Sequence, residues 1–178
     1  MRAMAEEINE DSLVEVLEAS ELATSYSCIK DILISTATVK SLDFTSSFSL
    51  TSTRTGHMHA FLGHFDTFFT PDGASVADDA QVDLTRHDES LKVEGKSGDK
   101  NEVSFTTGPE GVPTHWKQTL FLLKEPIEIV VGTKVEGVFH CHKSSTNSRE
   151  LDVEIHYKVT HPGKENDGQT LVQLFKVR

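Results

Sequence analysis

Alternation of apolar and polar residues dominates this chain. In Leu151-Asp152-Val153-Glu154-Ile155-His156-Tyr157-Lys158-Val159 every odd position is apolar and every even one polar. That period of two predicts a strand with its odd face buried, because no helix satisfies it. Ile32-Leu33-Ile34-Ser35-Thr36, residues 44–53 and residues 116–123 are rich in β-branched and aromatic side chains and predict further strands. Residues 59–69 carry Phe61, Phe65 and Phe69 on one face. That spacing also stripes a helix, but Gly63 and the Thr67-Phe68-Phe69-Thr70 end favour a strand. Residues 127–131, 134–141 and 171–177 complete the set. Turn residues separate them: Pro71-Asp72-Gly73, Gly108-Pro109, Val131-Gly132-Thr133 and His161-Pro162-Gly163. The pattern predicts a mainly β domain, an antiparallel barrel or sandwich.

Two stretches depart from it. In residues 6–22, Ser12-Leu13-Val14-Glu15 matches a capping box that opens a short helix. The same residues, with Leu13, Val14, Val16 and Leu17, fit a strand equally well. Residues 72–101 are polar and acidic, and only Val82, Leu84, Leu91 and Val93 are candidates for burial. They read as one long, partly mobile acidic loop, since a buried loop leaves backbone polar groups unsatisfied.

The length of 178 residues suits one domain with a core of its own. No apolar run is long enough to span a bilayer, and the start, Met1-Arg2-Ala3-Met4-Ala5-Glu6-Glu7, lacks the apolar stretch of a secretory signal. Two cysteines, Cys28 and Cys141, make no disulfide scaffold and fit a reducing compartment. Seventeen basic against 28 acidic residues give a net charge of −11. Such a surface repels nucleic-acid phosphates and attracts cationic partners, besides favouring solubility. Neither nucleic acid nor a membrane is an expected partner.

Candidate chemistry is sparse. His140-Cys141-His142 puts two imidazoles on one strand face, with His57, His59 and His64 as further ligands if their strand lies near. Zinc needs three or four converging ligands, so surface histidines bordering turns are the better expectation. Asp78, Asp79, Asp83, Asp88 and Glu89 lack the central Gly and terminal Glu of a calcium loop. No nucleophile elbow, phosphate loop or dinucleotide fingerprint occurs. Gly108-Pro109-Glu110-Gly111-Val112-Pro113-Thr114-His115-Trp116-Lys117-Gln118 differs from the rest. It sets the only Trp directly after a His, between a Gly/Pro-rich turn and an apolar run. An indole at a strand entry either plugs the end of the sheet or offers a face to a cation.

Pro113-Thr114-His115-Trp116-Lys117-Gln118-Thr119-Leu120-Phe121-Leu122-Leu123 resembles the Thr-His-Trp loop and following strand of protein arginine N-methyltransferases. Its neighbours occur in the family's order. Before the loop come Cys28-Ile29-Lys30-Asp31-Ile32, Leu42-Asp43-Phe44-Thr45-Ser46-Ser47-Phe48, His59-Ala60-Phe61-Leu62-Gly63-His64-Phe65-Asp66-Thr67-Phe68-Phe69 and Phe105-Thr106-Thr107-Gly108-Pro109. After it comes Arg149-Glu150-Leu151-Asp152-Val153. The similarity runs from about residue 13 to residue 159, outside the acidic loop, and is nearest the enzymes that make asymmetric dimethylarginine.

The resemblance implies the C-terminal β-barrel of such an enzyme. Residues 1–178 then form one barrel domain, with residues 72–101 as its insertion. The S-adenosylmethionine domain, its double-glutamate loop and the helical dimerisation arm are not matched. Thr114, His115 and Trp116 correspond to the loop that walls the substrate-arginine pocket, where the His pairs with an acidic group of the transferase domain. The implied chain is inactive alone and binds no cofactor or metal. Its implied partners are the transferase domain, Arg/Gly-rich proteins and, through apolar surface left by a severed interface, itself. Cytoplasm and nucleus are the implied locations. The alternative is a non-enzymatic β-rich module that holds Arg-rich partners on an acidic face.

Overall fold

The computed structural model describes residues 11–70, 82, 84, 103–164 and 169–178. Among these, nine strands and two short 3-10 turns make a mainly β chain. The strands are β1 (Leu13–Glu15), β2 (Phe44–Thr51), β3 (Gly56–Gly63), β4 (Asp66–Phe69), β5 (Val103–Thr106), β6 (Gln118–Ile129), β7 (Lys134–Lys143), β8 (Leu151–Thr160) and β9 (Thr170–Val177). They form a four-stranded sheet in the order β2–β7–β8–β9, a three-stranded sheet β1–β6–β3 and the pair β4–β5. The antiparallel arrangement is as expected, but the pairings among the described residues do not close into a ring, so the barrel alternative is not established.

The described residues fall into two compact units. The first comprises those of Met1–Leu13, Leu22–Phe61 and Leu120–Arg178. Its core is Phe48, Met58, Phe61, Phe121, Leu123, Ile129, Val135, Cys141, Val153, Ile155, Tyr157 and Phe175. In β8, Val153, Ile155 and Tyr157 are buried as the alternation requires, and the odd face of β7 packs with them. Phe61 meets Phe48 and Tyr157 edge-on, and Phe121 meets Phe139 and Phe175 in the same way. Two polar side chains share this interior at no unsatisfied cost. The Tyr157 hydroxyl donates to Gln173 Oε1 at 3.1 Å, and Gln173 Nε2 donates to Leu122 O at 3.4 Å. At the expected turn after β6, Gly132 takes a φ of +86°, and Thr133 Oγ1 accepts from Val130 N.

Several expectations need correction. Ile32-Leu33-Ile34-Ser35-Thr36 is no strand. It is an exposed turn closed by Thr36 N on Leu33 O, with Ile34 83% exposed. Residues 116–123 and 127–131 do not make two strands, because β6 runs unbroken through Pro126. Residues 59–69 break at His64–Phe65 into β3 and β4. Of residues 6–22, residues 6–10 lie outside the described residues, and the rest take the strand alternative at Leu13–Glu15, followed by a 3-10 turn, Ala19–Glu21. Ser12 does not cap a helix there: its N–H donates to Lys176 O on β9. The short helical segments are that turn and Val39–Leu42, which Thr38 caps with Ser41 in a reciprocal box. The acidic loop of residues 72–101 lies outside the described residues except for Val82 and Leu84, both half-buried.

Candidate functional site: the Trp116 loop

The loop belongs to the second unit, Val14–Glu21 and Leu62–Thr119. Two hydrogen-bonded turns shape it: Gly111 N donates to Gly108 O, and Lys117 N donates to Thr114 O. Lys117 has a φ of 55°, a left-handed conformation that non-glycine residues rarely adopt. The chain therefore reverses between Trp116, which is 50% exposed, and Gln118, which is 2% exposed.

Its indole is held by other rings. Phe105 stacks on it at 5.7 Å between centroids with planes 18° apart, and Phe65 meets it edge-on at 5.8 Å. His115 lies against the same indole at 3.9 Å, and Phe69 extends the group by stacking on Phe105 at 6.4 Å. Such offset and edge contacts suit the ring quadrupoles and leave part of the indole to solvent. Thr114 is half-buried, and its Oγ1 is buried with no hydrogen-bond partner among the described residues. The three residues expected at the site follow one another in this loop, and of their side chains His115 and Trp116 are in contact.

Sequence reasoning missed the support beneath them. Phe65 N donates to Thr107 Oγ1 at 3.0 Å, and Thr107 N donates back to Phe65 O, which joins β4 to the turn after β5. The signal for Phe65 and Phe69 was present in their spacing, but it pointed to a face shared with Phe61. Instead Phe61 enters the core of the first unit, whereas Phe65 and Phe69 join the exposed aromatic group.

Close by, His64 Nδ1, between β3 and β4, stands 3.6 Å from Oδ1 of Asp66, the first residue of β4. The His64 side chain holds the Asp66 carboxyl below the usual carboxylate range against the opposing effect of burial, and Thr106 adds to the lowering. A depressed folded pKa gives stability that is present above the unfolded value of about 4 and lost as pH falls through the folded one. Thermal melts followed by Trp116 fluorescence should fall in midpoint more steeply below about pH 4 for the parent chain than for Asp66→Asn. Parallel curves would refute this.

The histidine expectations separate. Cys141 is in the core of the first unit, where burial pushes its thiol up. His140 Nδ1 shares a 2.8 Å hydrogen bond with Thr45 Oγ1, His156 pairs with Glu154, and His142 Nε2 lies 3.8 Å from Asp152. His57 faces Glu128 at 3.9 Å. Among the described residues no three His, Cys, Asp or Glu side chains converge on a metal position. The acidic residues weighed for calcium, Asp78, Asp79, Asp83, Asp88 and Glu89, lie outside the described residues. Among the described residues no helix is long and apolar enough to cross a membrane.

A nucleoside-bearing methyl donor finds no fitting site in these residues. The helical segments are 3-10 turns of three and four residues, too short to present a helix N-terminus behind a glycine-rich turn. Two open hollows among the described residues of the first unit, of about 350 and 310 Å³, meet at Phe44 and Thr45. Neither includes a residue of the Trp116 loop.

The class is that of the arginine methyltransferases. The family described as the arginine methyltransferase oligomerization subdomain matches residues 1–88 and 90–162, and the chain belongs to it. Ribosomal protein arginine N-methyltransferase rmt3 of Schizosaccharomyces pombe is 36% identical over 124 residues, covering 70% of this chain and 20% of that protein. Protein arginine N-methyltransferase 1 of Chlamydomonas reinhardtii is 29% identical over 148 residues, 83% of this chain and 35% of that protein. The chain therefore spans between a fifth and about a third of these relatives. Among solved structures, the Trypanosoma brucei PRMT1 enzyme-prozyme heterotetrameric complex with AdoHcy superimposes with a TM-score of 0.72 at 24% identity. The match covers 96% of this chain and 44% of that one. Arabidopsis thaliana protein arginine methyltransferase 10 gives 0.75 at 16% identity, over 95% and 43% of the two chains. These likenesses establish the shared fold.

Proposed function

We propose that this chain is the substrate-positioning β domain of an S-adenosylmethionine-dependent protein arginine N-methyltransferase of the asymmetric dimethylarginine type. Thr114, His115 and Trp116 wall the pocket for the substrate arginine. The observation that carries the reading is Trp116, half-exposed yet backed by Phe105 and Phe65 with His115 against its ring. An indole fixed in this way offers a pre-set apolar and π-rich wall to a guanidinium, worth ~0.5–2 kcal/mol. His115 anchors the loop to an acidic group of the transferase domain, so the geometry of the pocket is set before substrate arrives.

Methyl transfer to a guanidinium nitrogen further requires carboxylates around the guanidinium and the methyl donor. This reading assigns both to the transferase domain, which is the part of the relatives that this chain does not match. Arg/Gly-rich proteins are the substrates, and the charge of −11 favours their encounter. Self-association and residence in cytoplasm or nucleus belong to the same reading.

A direct test mixes the 178-residue chain with S-adenosylmethionine and an Arg/Gly-rich peptide. The expected result is no methyl transfer above background. Turnover by the chain alone would overturn the assignment of the chemistry to another domain. Tight, salt-sensitive binding of the peptide by this chain alone would favour the non-enzymatic module instead.

A further inference from the structure

We propose that Gln118 is a positioning residue whose side-chain amide locks the Trp116 loop and couples it to the segment Val14–Glu21. Both ends of the amide are used. Leu17 N donates to Gln118 Oε1 at 2.8 Å, and Gln118 Nε2 donates to Thr107 O at 2.6 Å. Gln118 and Thr107 are both almost fully buried, so these are hydrogen bonds that water does not replace. Thr107 in turn holds Phe65 through its hydroxyl and its N–H, and Phe65 packs edge-on against Trp116.

The amide thus reaches the indole by two routes. One passes along the backbone through Lys117, whose left-handed φ keeps Trp116 outside while Gln118 points in. The other passes through Thr107 and Phe65. A left-handed lysine costs of order 1–3 kcal/mol and persists because its surroundings over-determine it. On the other side, Leu17 is the half-buried residue of an otherwise exposed run, residues 14–21, so Gln118 is where that run is tied to the loop. The inference rests on the reading of Trp116 as the pocket wall only for what the lock serves; the lock itself is a property of this chain.

Trp116 is the only Trp in the sequence, so its fluorescence reports the loop alone. Two variants of the 178-residue chain separate a lock from mere core filling. Gln118→Met keeps the volume and loses both hydrogen bonds. Gln118→Glu is a conditional mimic: protonated, it accepts from Leu17 N and donates to Thr107 O; ionised, it has no donor for Thr107 O. Burial pushes such a carboxyl up, so its titration falls above the ordinary carboxylate range. The other titratable groups on the surrounding elements are common to both variants: Glu15, Glu18 and Glu21 on the segment, His64 between β3 and β4, Asp66 on β4, and Glu110, His115 and Lys117 on the loop.

Acrylamide quenching and anisotropy of Trp116 are measured across pH, with far-ultraviolet circular dichroism to confirm the fold. The expected result is raised quenching and lowered anisotropy for Gln118→Met at every pH. Gln118→Glu should match the parent chain at low pH and cross over to the Met variant as pH rises. A Glu-minus-Met difference that is flat with pH would overturn the proposal. So would parent-like quenching in a folded Gln118→Met. If the Met variant does not fold, the pH crossover of the Glu variant against the parent decides alone. Loss of this effect removes the lock and leaves the arginine reading standing; an activity unmoved by loss of Trp116 does the reverse.

Discussion

Gly137→Ala is expected to cost about 3 kcal/mol and to lower the melting temperature by about 6–12 °C. Gly137 sits in the middle of β7, paired with Phe48 on β2 and Tyr157 on β8. A methyl group there would stand 1.9 Å from the backbone oxygen of His156 and 2.9 Å from Cζ of Phe48. The phenyl ring can shift, but the carbonyl is fixed by its strand, so relief requires moving β8 away from β7. That movement reaches Ile155 and Tyr157, which are among the most deeply buried side chains in this unit. The close approach of backbone, rather than any need for a left-handed φ, is why glycine stands here. Thermal or urea unfolding would check it; a change within about 0.5 kcal/mol, the ordinary range of surface substitutions, would show that the sheet yields more easily than this packing allows.

On the proposed reading, Trp116→Ala is expected to lower kcat/KM about 10- to 100-fold when the chain is joined to a transferase domain, equivalent to ~1.4–2.7 kcal/mol. Part of that is the lost π face. The rest is disorder, because Phe105, Phe65 and His115 all pack on the indole and lose their shared wall together. A misplaced guanidinium loses alignment with the methyl donor, so kcat falls as well as binding. Trp116→Phe should recover part of the loss, since a smaller ring can keep the stack on Phe105 but not the full wall. The steady-state split between kcat and KM for the two variants checks the point.

The sheet of the first unit was legible because its strands obey one rule. β8 alternates without exception, and β2, β7 and β9 fall within a few residues of their expected bounds. Where the expectation failed, tertiary contacts overrode local composition. Ile32-Leu33-Ile34 has the β-branched content of a strand but no partner strand among the described residues, and it turns instead. Residues 116–123 and 127–131 read as two strands, yet β6 runs unbroken through Pro126. Phe61, Phe65 and Phe69 share a spacing but not an environment, because the Thr107 hydroxyl captures the Phe65 backbone and divides the strand. At the site, Thr114, His115 and Trp116 were legible as a motif. Gln118 was not, since one amide in an apolar run carries no periodic signal; only its two buried partners give it meaning.

Domain exchange decides whether this chain positions an arginine for a catalytic domain. This chain would replace the matching region of the S. pombe ribosomal protein arginine N-methyltransferase rmt3, and kcat/KM on an Arg/Gly-rich peptide would be measured with Trp116 and with Trp116→Ala. The hybrid should transfer methyl groups and lose about one to two orders of magnitude in kcat/KM when the indole is removed. A folded, active hybrid whose kcat/KM is unchanged by Trp116→Ala would contradict it.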